Sequence, residues 1–176
     1  MNIFYYIKLI QLLLNKNPEK EAGNILIRKN MTLSSAESCT GGLVSSLLTD
    51  ISGSSSYIKS NFVTYANEAK MKYLNVSENT LKNYGAVSEQ TASEMVAGLL
   101  KETNTDYAIA TTGIAGPSGG TEEKPVGLVY IAIASKDRMT VHKYLANKNY
   151  PRVLIKYMFA KKAVKLLAEF LREENQ

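Results

Sequence analysis

The sequence predicts an α/β fold in which helices cover both faces of a mostly parallel sheet and an antiparallel hairpin ends the sheet. Three observations carry this. From Thr32 onward, short runs rich in β-branched and aromatic residues alternate with helical patterns, the signature of a sheet wrapped by helices. Glycine-rich stretches follow two of the strand runs, at Gly41-Gly42 and from Gly113 to Gly120. The last two strand runs are separated only by Ser135-Lys136-Asp137, so they pair as a hairpin. At 176 residues one domain with a sizeable core is expected.

The elements follow in order. Ile3 to Leu14 (IFYYIKLIQLLL) is apolar but interrupted by Lys8 and Gln11. It is too short to span a bilayer, and no convincing cleavage site follows it. It reads as an extra N-terminal amphipathic helix, within residues 1–16, that packs on the domain or on a partner. Pro18 and Gly23 are expected to break the next region into short helical pieces ending near Arg28. Thr32 to Ala36 reads as a strand, and Thr40-Gly41-Gly42 opens a helix closing near Asp50. Ser54 to Ser56 form a loop, and Asn61 to Ala66 (NFVTYA) reads as the second strand. Helical pieces run from Asn67 to Leu74 and from Ser77 to Tyr84. Ser88 is placed to cap a helix that reaches Thr103. Tyr107 to Thr112, Val126 to Ala134 and Met139 to Ala146 complete the strands. Pro151 starts the last helix at a position proline favours, and Val153, Leu154, Tyr157, Val164, Leu167, Ala168 and Leu171 give it one apolar stripe.

Composition narrows the function. A single cysteine cannot form an internal disulfide, so nothing asks for an oxidising compartment. A cytoplasmic location is expected. The net charge is +5, which suits an anionic small molecule or nucleic acid. No arginine-rich tract, zinc pattern or RNA-binding aromatic motif supports nucleic acid, and the basic C-terminal helix is read as a solvated face.

Three stretches carry candidate chemistry. Ala36-Glu37-Ser38-Cys39-Thr40-Gly41-Gly42 sets three nucleophile types in a row, then two glycines. Glycines admit close backbone approach, and free N–H groups at a helix start favour negative charge. Thr111 to Pro125 (TTGIAGPSGGTEEKP) is a long, stiffened loop after a strand. It matches neither the P-loop nor the dinucleotide fingerprint, yet such loops are more often functional than incidental. In Tyr65-Ala66-Asn67-Glu68-Ala69-Lys70, Asn67 is placed to cap a helix whose first turn holds Lys70. A cation is misplaced at a helix start, and burial there lowers a lysine pKa, as a general base requires. The one histidine, His142, reads as structural or surface.

The segments AESCTGG, FVTYANEAK and TGIAGPSGGTEEKPVGLV together resemble the CinA C-terminal domain family, whose single-domain members are nicotinamide mononucleotide (NMN) amidohydrolases. The resemblance runs from about Thr32 to Ala134 and more loosely to the end. It implies an α/β/α sandwich, no metal and no cofactor, and hydrolysis of the NMN carboxamide to nicotinate mononucleotide and ammonia. It also implies a serine nucleophile assisted by a tyrosine and a lysine, which fall on Ser38, Tyr65 and Lys70. Backbone N–H groups around Thr40, Gly41 and Gly42 would then hold the oxyanion. The substrate phosphate would rest against Gly113, Ile114, Ala115, Gly116, Gly119, Gly120 and Thr121. The Thr112 and Thr121 hydroxyls and Lys124 would be its donors. Glu37 would orient the site or meet the positive ring, and Asn67 would line it. Neighbouring strand residues face opposite ways, so Ser38 and Cys39 cannot both serve, and Cys39 becomes packing. The chain departs from the family pattern at Asn149-Tyr150-Pro151-Arg152, where a Gly-Asp pair is absent and Arg152 is kept. Lys156 stands where a second arginine is usual. A homodimer or higher homo-oligomer is expected. The competing reading is a non-catalytic nucleotide-binding module linked to competence or DNA damage.

Overall fold

The computed structural model describes residues 3–174. In chain order the elements are α1 (Ile3–Leu14), α2 (Asn17–Lys29), β1 (Leu33–Glu37), α3 (Leu43–Thr49), β2 (Ile58–Val63), α4 (Asn67–Leu74), α5 (Glu78–Tyr84), α6 (Glu89–Thr103), β3 (Tyr107–Gly113), β4 (Leu128–Ser135), β5 (Met139–Leu145) and α7 (Arg152–Glu174). The single sheet has the order β2-β1-β3-β4-β5. β1 runs parallel to both β2 and β3, whereas β3–β4 and β4–β5 pair antiparallel. Four of the five strands therefore point one way and β4 alone opposes them, the mostly parallel sheet with a C-terminal hairpin that the sequence predicts.

The two sheet faces bury different side chains. Leu33, Tyr107, Ile109, Val129, Ile131 and Ile133 pack against α2, α3 and α7. Ala36, Ala108, Ala110, Ala132 and Ala134 meet Met95, Val96 and Leu99 of α6. Large residues on the first face and alanines on the second follow from the alternation of side chains along a strand. Each fully buried large side chain contributes about 1.5–3 kcal/mol. The alanine face lets α6 settle close to the sheet.

Local signals explain most boundaries. The Ser88 hydroxyl accepts the Thr91 N–H at 3.1 Å and caps α6. Pro151 stands just before α7, and its carbonyl accepts the Ile155 N–H. Three expectations are corrected. Gly23 does not break a helix but lies inside α2. A Cβ there would sit 3.1 Å from the Tyr57 hydroxyl, so the glycine admits a close contact. The residue at the cap position of α4 is Ala66, with Asn67 already helical. The second strand is Ile58–Val63, not Asn61 to Ala66. Its last ladder bond runs from Thr64 N–H to Glu37 O, after which the chain leaves the sheet.

Candidate active site

Parallel pairing brings the ends of β1, β2 and β3 to one rim of the sheet. Glu37, Val63 and Gly113 end those strands, and β4 starts beside Gly113, opposite it at Val129. The loop between β3 and β4 therefore leaves and re-enters the sheet at this rim. Ligands of open α/β sheets bind at such strand ends.

Ser38 follows β1 here and is 9 % exposed. Lys70, on the first turn of α4, is 1 % exposed. Its Nζ donates to Ser38 Oγ at 3.1 Å, to the Thr64 carbonyl at 2.8 Å and to the Tyr65 carbonyl at 3.2 Å. All three acceptors are neutral. Burial pushes the Lys70 ammonium below its ordinary value, with the charge of Glu68 among the opposing influences. A lysine held this way can be neutral and take a proton from the hydroxyl it touches.

Tyr65 reaches Lys70 through its backbone only. Its side chain is exposed, and its hydroxyl accepts from Arg152 Nη2 at 3.0 Å. That leaves the phenolic proton available to a ligand. The same guanidinium donates through Nη1 to the Gly116 carbonyl at 2.7 Å. Arg152 thus ties the loop after β2 to the loop after β3. Gly116 has φ +73°, and a Cβ there would lie 2.4 Å from Val126 Cγ1, so only glycine presents this carbonyl.

Glu37 is fully buried and faces into the fold. Its Oε2 accepts the N–H groups of Gly42 and Val44, and its Oε1 accepts the N–H and hydroxyl of Ser45. The carboxylate neutralises the start of α3 and so orients the turn that carries Ser38. Both of its carboxylate oxygens are taken up by the start of α3. Gly41 N–H donates to the Ser38 carbonyl, and Gly42 N–H is held by Glu37. Both are engaged, which corrects the expectation that they serve an oxyanion. The Thr40 hydroxyl is buried against that of Thr111 at 2.8 Å. Lys156 of α7 hangs over this turn, its Nζ 3.3 Å from where a Cβ on Gly41 would stand.

The second loop is organised largely by itself. Ile114 N–H donates to Leu128 O, and Gly127 N–H to Ile114 O. Ala115 is buried, while Gly119 and Gly120 are exposed beyond it. The Thr112 hydroxyl donates to the Ala86 carbonyl at 2.6 Å. The Thr121 hydroxyl accepts the Lys124 N–H, and the Lys124 ammonium donates to the Tyr84 carbonyl. The Thr112 hydroxyl and the Lys124 ammonium thus donate within the protein, while the Thr121 hydroxyl accepts and keeps its own proton. Arg152 and Lys156 bring further positive charge to this rim. Asn67 lies exposed at the start of α4.

Cys39 is buried, and burial pushes its thiol up to about 12. His142 lies mid-strand on β5, at the far side of the sheet. A cavity of about 380 Å³ between α1, β5 and α7 includes none of Ser38, Tyr65 and Lys70. Chemistry rather than concavity marks the site.

The model of the CinA C-terminal domain matches residues 15–171. The chain belongs to that family. This CinA domain is 48 % identical over 155 residues to a CinA-like protein of Chloroherpeton thalassium, across 87 % of this chain and 37 % of the relative. It is 55 % identical over 118 residues to a putative competence-damage inducible protein of Clostridium novyi, across 67 % of this chain and 28 % of the relative. The chain therefore spans about a third of the length of these curated relatives. Among solved structures it resembles the competence/damage inducible protein CihA of Agrobacterium tumefaciens, with a TM-score of 0.82, 40 % identity and coverage of 90 % of this chain and 96 % of that one. A CinA superfamily protein of Klebsiella pneumoniae gives 0.84 at 29 % identity, over 90 % and 98 % of the two chains. The CinA domain's Arg152 contacts were not legible beforehand. The residue stood out only because it is kept in an otherwise altered turn.

Proposed function

We propose that this CinA domain is an amidase that hydrolyses the carboxamide of NMN to nicotinate mononucleotide and ammonia. The observation that carries the reading is the buried Lys70 amine, among neutral oxygens only, 3.1 Å from the Ser38 hydroxyl. Lys70 takes the Ser38 proton as Oγ attacks the carboxamide carbon. The carbonyl π electrons move to oxygen and return as the C–N bond breaks. Lys70 passes its proton to the departing amine, giving ammonia and an acyl-Ser38 ester. Water then attacks the ester, Lys70 receives the water proton, and Ser38 regains it on release of the acid. The Tyr65 hydroxyl is an available donor to the carbonyl oxygen or the leaving group. Arg152 and Lys156 supply positive charge for the phosphate of the substrate. The cationic pyridinium of NMN itself activates the carboxamide.

The test is ammonia release from NMN by the purified chain after EDTA treatment, beside Lys70→Ala and Ser38→Ala. Release by the wild type and loss in both variants, with NMN still bound by Ser38→Ala, is the expected result. Turnover unchanged in Ser38→Ala moves the nucleophile elsewhere. Binding without turnover by well-folded wild type overturns the amidase reading in favour of a nucleotide-binding module.

A further inference from the structure

The cavity of about 380 Å³ between α1, β5 and α7 has no part in the proposed reaction. Its volume falls near the lower end of the range that small-molecule sites occupy, about 300–1,000 Å³. β5 is an edge strand, with β4 and β3 between it and β1, so the cavity stands apart from the turn that carries Ser38. The family match starts at residue 15. The α1 side of the cavity, with Lys8 and Leu12, therefore lies outside the matched residues.

Two kinds of surface meet here. Leu12, Met158 and Tyr144 supply an apolar wall, and the Tyr144 ring is set edge-on against Phe159. Lys8, Lys161, Lys162 and Lys165 border the same space, and no Asp or Glu among the described residues lines it. The four lysines differ in what holds them. Lys161 is taken up by Glu19 and the Asn15 carbonyl. Lys165 is exposed and stands 3.7 Å from Glu169, a contact that contributes little at a surface. Lys8 and Lys162 are half-buried. Lys8 donates to the Tyr150 hydroxyl at 2.8 Å and lies over that ring. Lys162 lies 6.0 Å from the centre of the Tyr144 ring. Among the described residues neither forms an ion pair with a carboxylate. The charge of Lys8 also acts on Tyr144, whose phenol burial nonetheless pushes up. Tyr144 is thus the point on which both cations converge, and its hydroxyl keeps a proton to donate.

Cations without a carboxylate, beside an apolar wall, select one class of guest. A neutral apolar molecule would desolvate the ammonium groups and leave them unpaired. A bare inorganic anion would leave the apolar wall in water. A molecule with a charged head and an apolar body avoids both costs. We propose that this cavity binds a small organic anion, a carboxylate on an apolar body. Lys8 and Lys162 hold the carboxylate, and Leu12, Met158 and Tyr144 enclose the body.

The experiment titrates the full chain with anilinonaphthalene sulfonate, an apolar anion whose fluorescence rises when it leaves water. The wild type is expected to bind it and octanoate to displace it. Lys8→Gln/Lys162→Gln should weaken both by about tenfold or more, the loss of charge-assisted hydrogen bonds. Leu12→Trp, which fills the space, should abolish both. Far-ultraviolet circular dichroism and the thermal midpoint check that each variant is folded. Octanol and inorganic phosphate, each at the octanoate concentration, should leave the probe in place. A wild type that takes up no probe overturns the proposal, as does probe binding that is unchanged in both variants or resists octanoate. Displacement by octanol as effective as by octanoate overturns the role of the lysines. Displacement by phosphate to the same extent overturns the role of the apolar wall.

Discussion

Lys70 and Lys161 are both buried, 1 % and 8 % exposed, and both sit on helices. Lys161 faces the carboxylate of Glu19, itself buried, and also donates to the Asn15 carbonyl. Lys70 faces a hydroxyl and two carbonyls. Burial is common to the two, and the charge of the partner is not. The Lys161–Glu19 pair ties α2 to α7. Neutral hydrogen-bond partners leave the other lysine with a desolvation penalty that outweighs the attraction of Glu68, so the proton is loosely held. One lysine fastens two helices, and the other is the base of the proposed reaction.

The largest effect that sharpens this contrast is Lys70→Met. Ammonia release should fall by about 10²–10⁴-fold, the usual contribution of a general base. Its thermal midpoint, read by calorimetry, should stay level or rise. The sign follows from linkage. A pKa lowered on folding means that the unfolded chain binds more protons, so the native lysine weakens stability below its unfolded pKa and ceases to do so above it. A destabilised Lys70→Met would break the contrast. Next is Lys161→Met, which leaves Glu19 buried and unpaired and should cost about 3–5 kcal/mol in urea unfolding, with unchanged turnover per folded molecule. Adding Glu19→Leu should return most of that loss, because replacing a whole buried pair by apolar groups is often neutral. The pH profile comes next. kcat/KM should rise with pH as Lys70 loses its proton, with a midpoint below the ordinary lysine value of about 10.4. A flat profile would detach Lys70 from the chemistry. The smallest effect concerns Cys39. With its thiol pushed up to about 12 and buried, iodoacetamide at pH 8 should leave native protein and its turnover unaltered.

The sequence made the strand–helix order legible because its periodicities are local, and Ser88 and Pro151 marked helix starts by their own chemistry. β2 was misplaced by three residues. It is an edge strand with alternating half-exposure, and the residues that look like its end, Thr64 and Tyr65, turn their carbonyls to Lys70 instead of to a neighbouring strand. The juxtaposition of Ser38 with Lys70 came from resemblance to a family. Spacing alone leaves Ser38, Cys39 and Thr40 open. The tie from Arg152 to Tyr65 and Gly116 joins residues 87 and 36 positions apart, a relation set by how α7 docks. The inward turn of Glu37 is likewise tertiary. A carboxylate before a glycine pair reads equally as a ligand or as a cap.

The lone opposed strand has a practical consequence. With four strands running together, the chain leaves β1, β2, β3 and β5 at the rim that holds Ser38, Tyr65, Gly116 and Arg152. The opposite rim receives the connections at Asn30 to Thr32, Asn104 to Asp106 and Ser135 to Arg138, together with the end of α7, where Glu174 accepts from Ser135. Reporter groups, affinity handles or an inserted module grafted at the Ser135–Arg138 turn would stand a full strand length from the Ser38–Lys70 pair. That turn is where this scaffold can be engineered at a distance from Ser38 and Lys70.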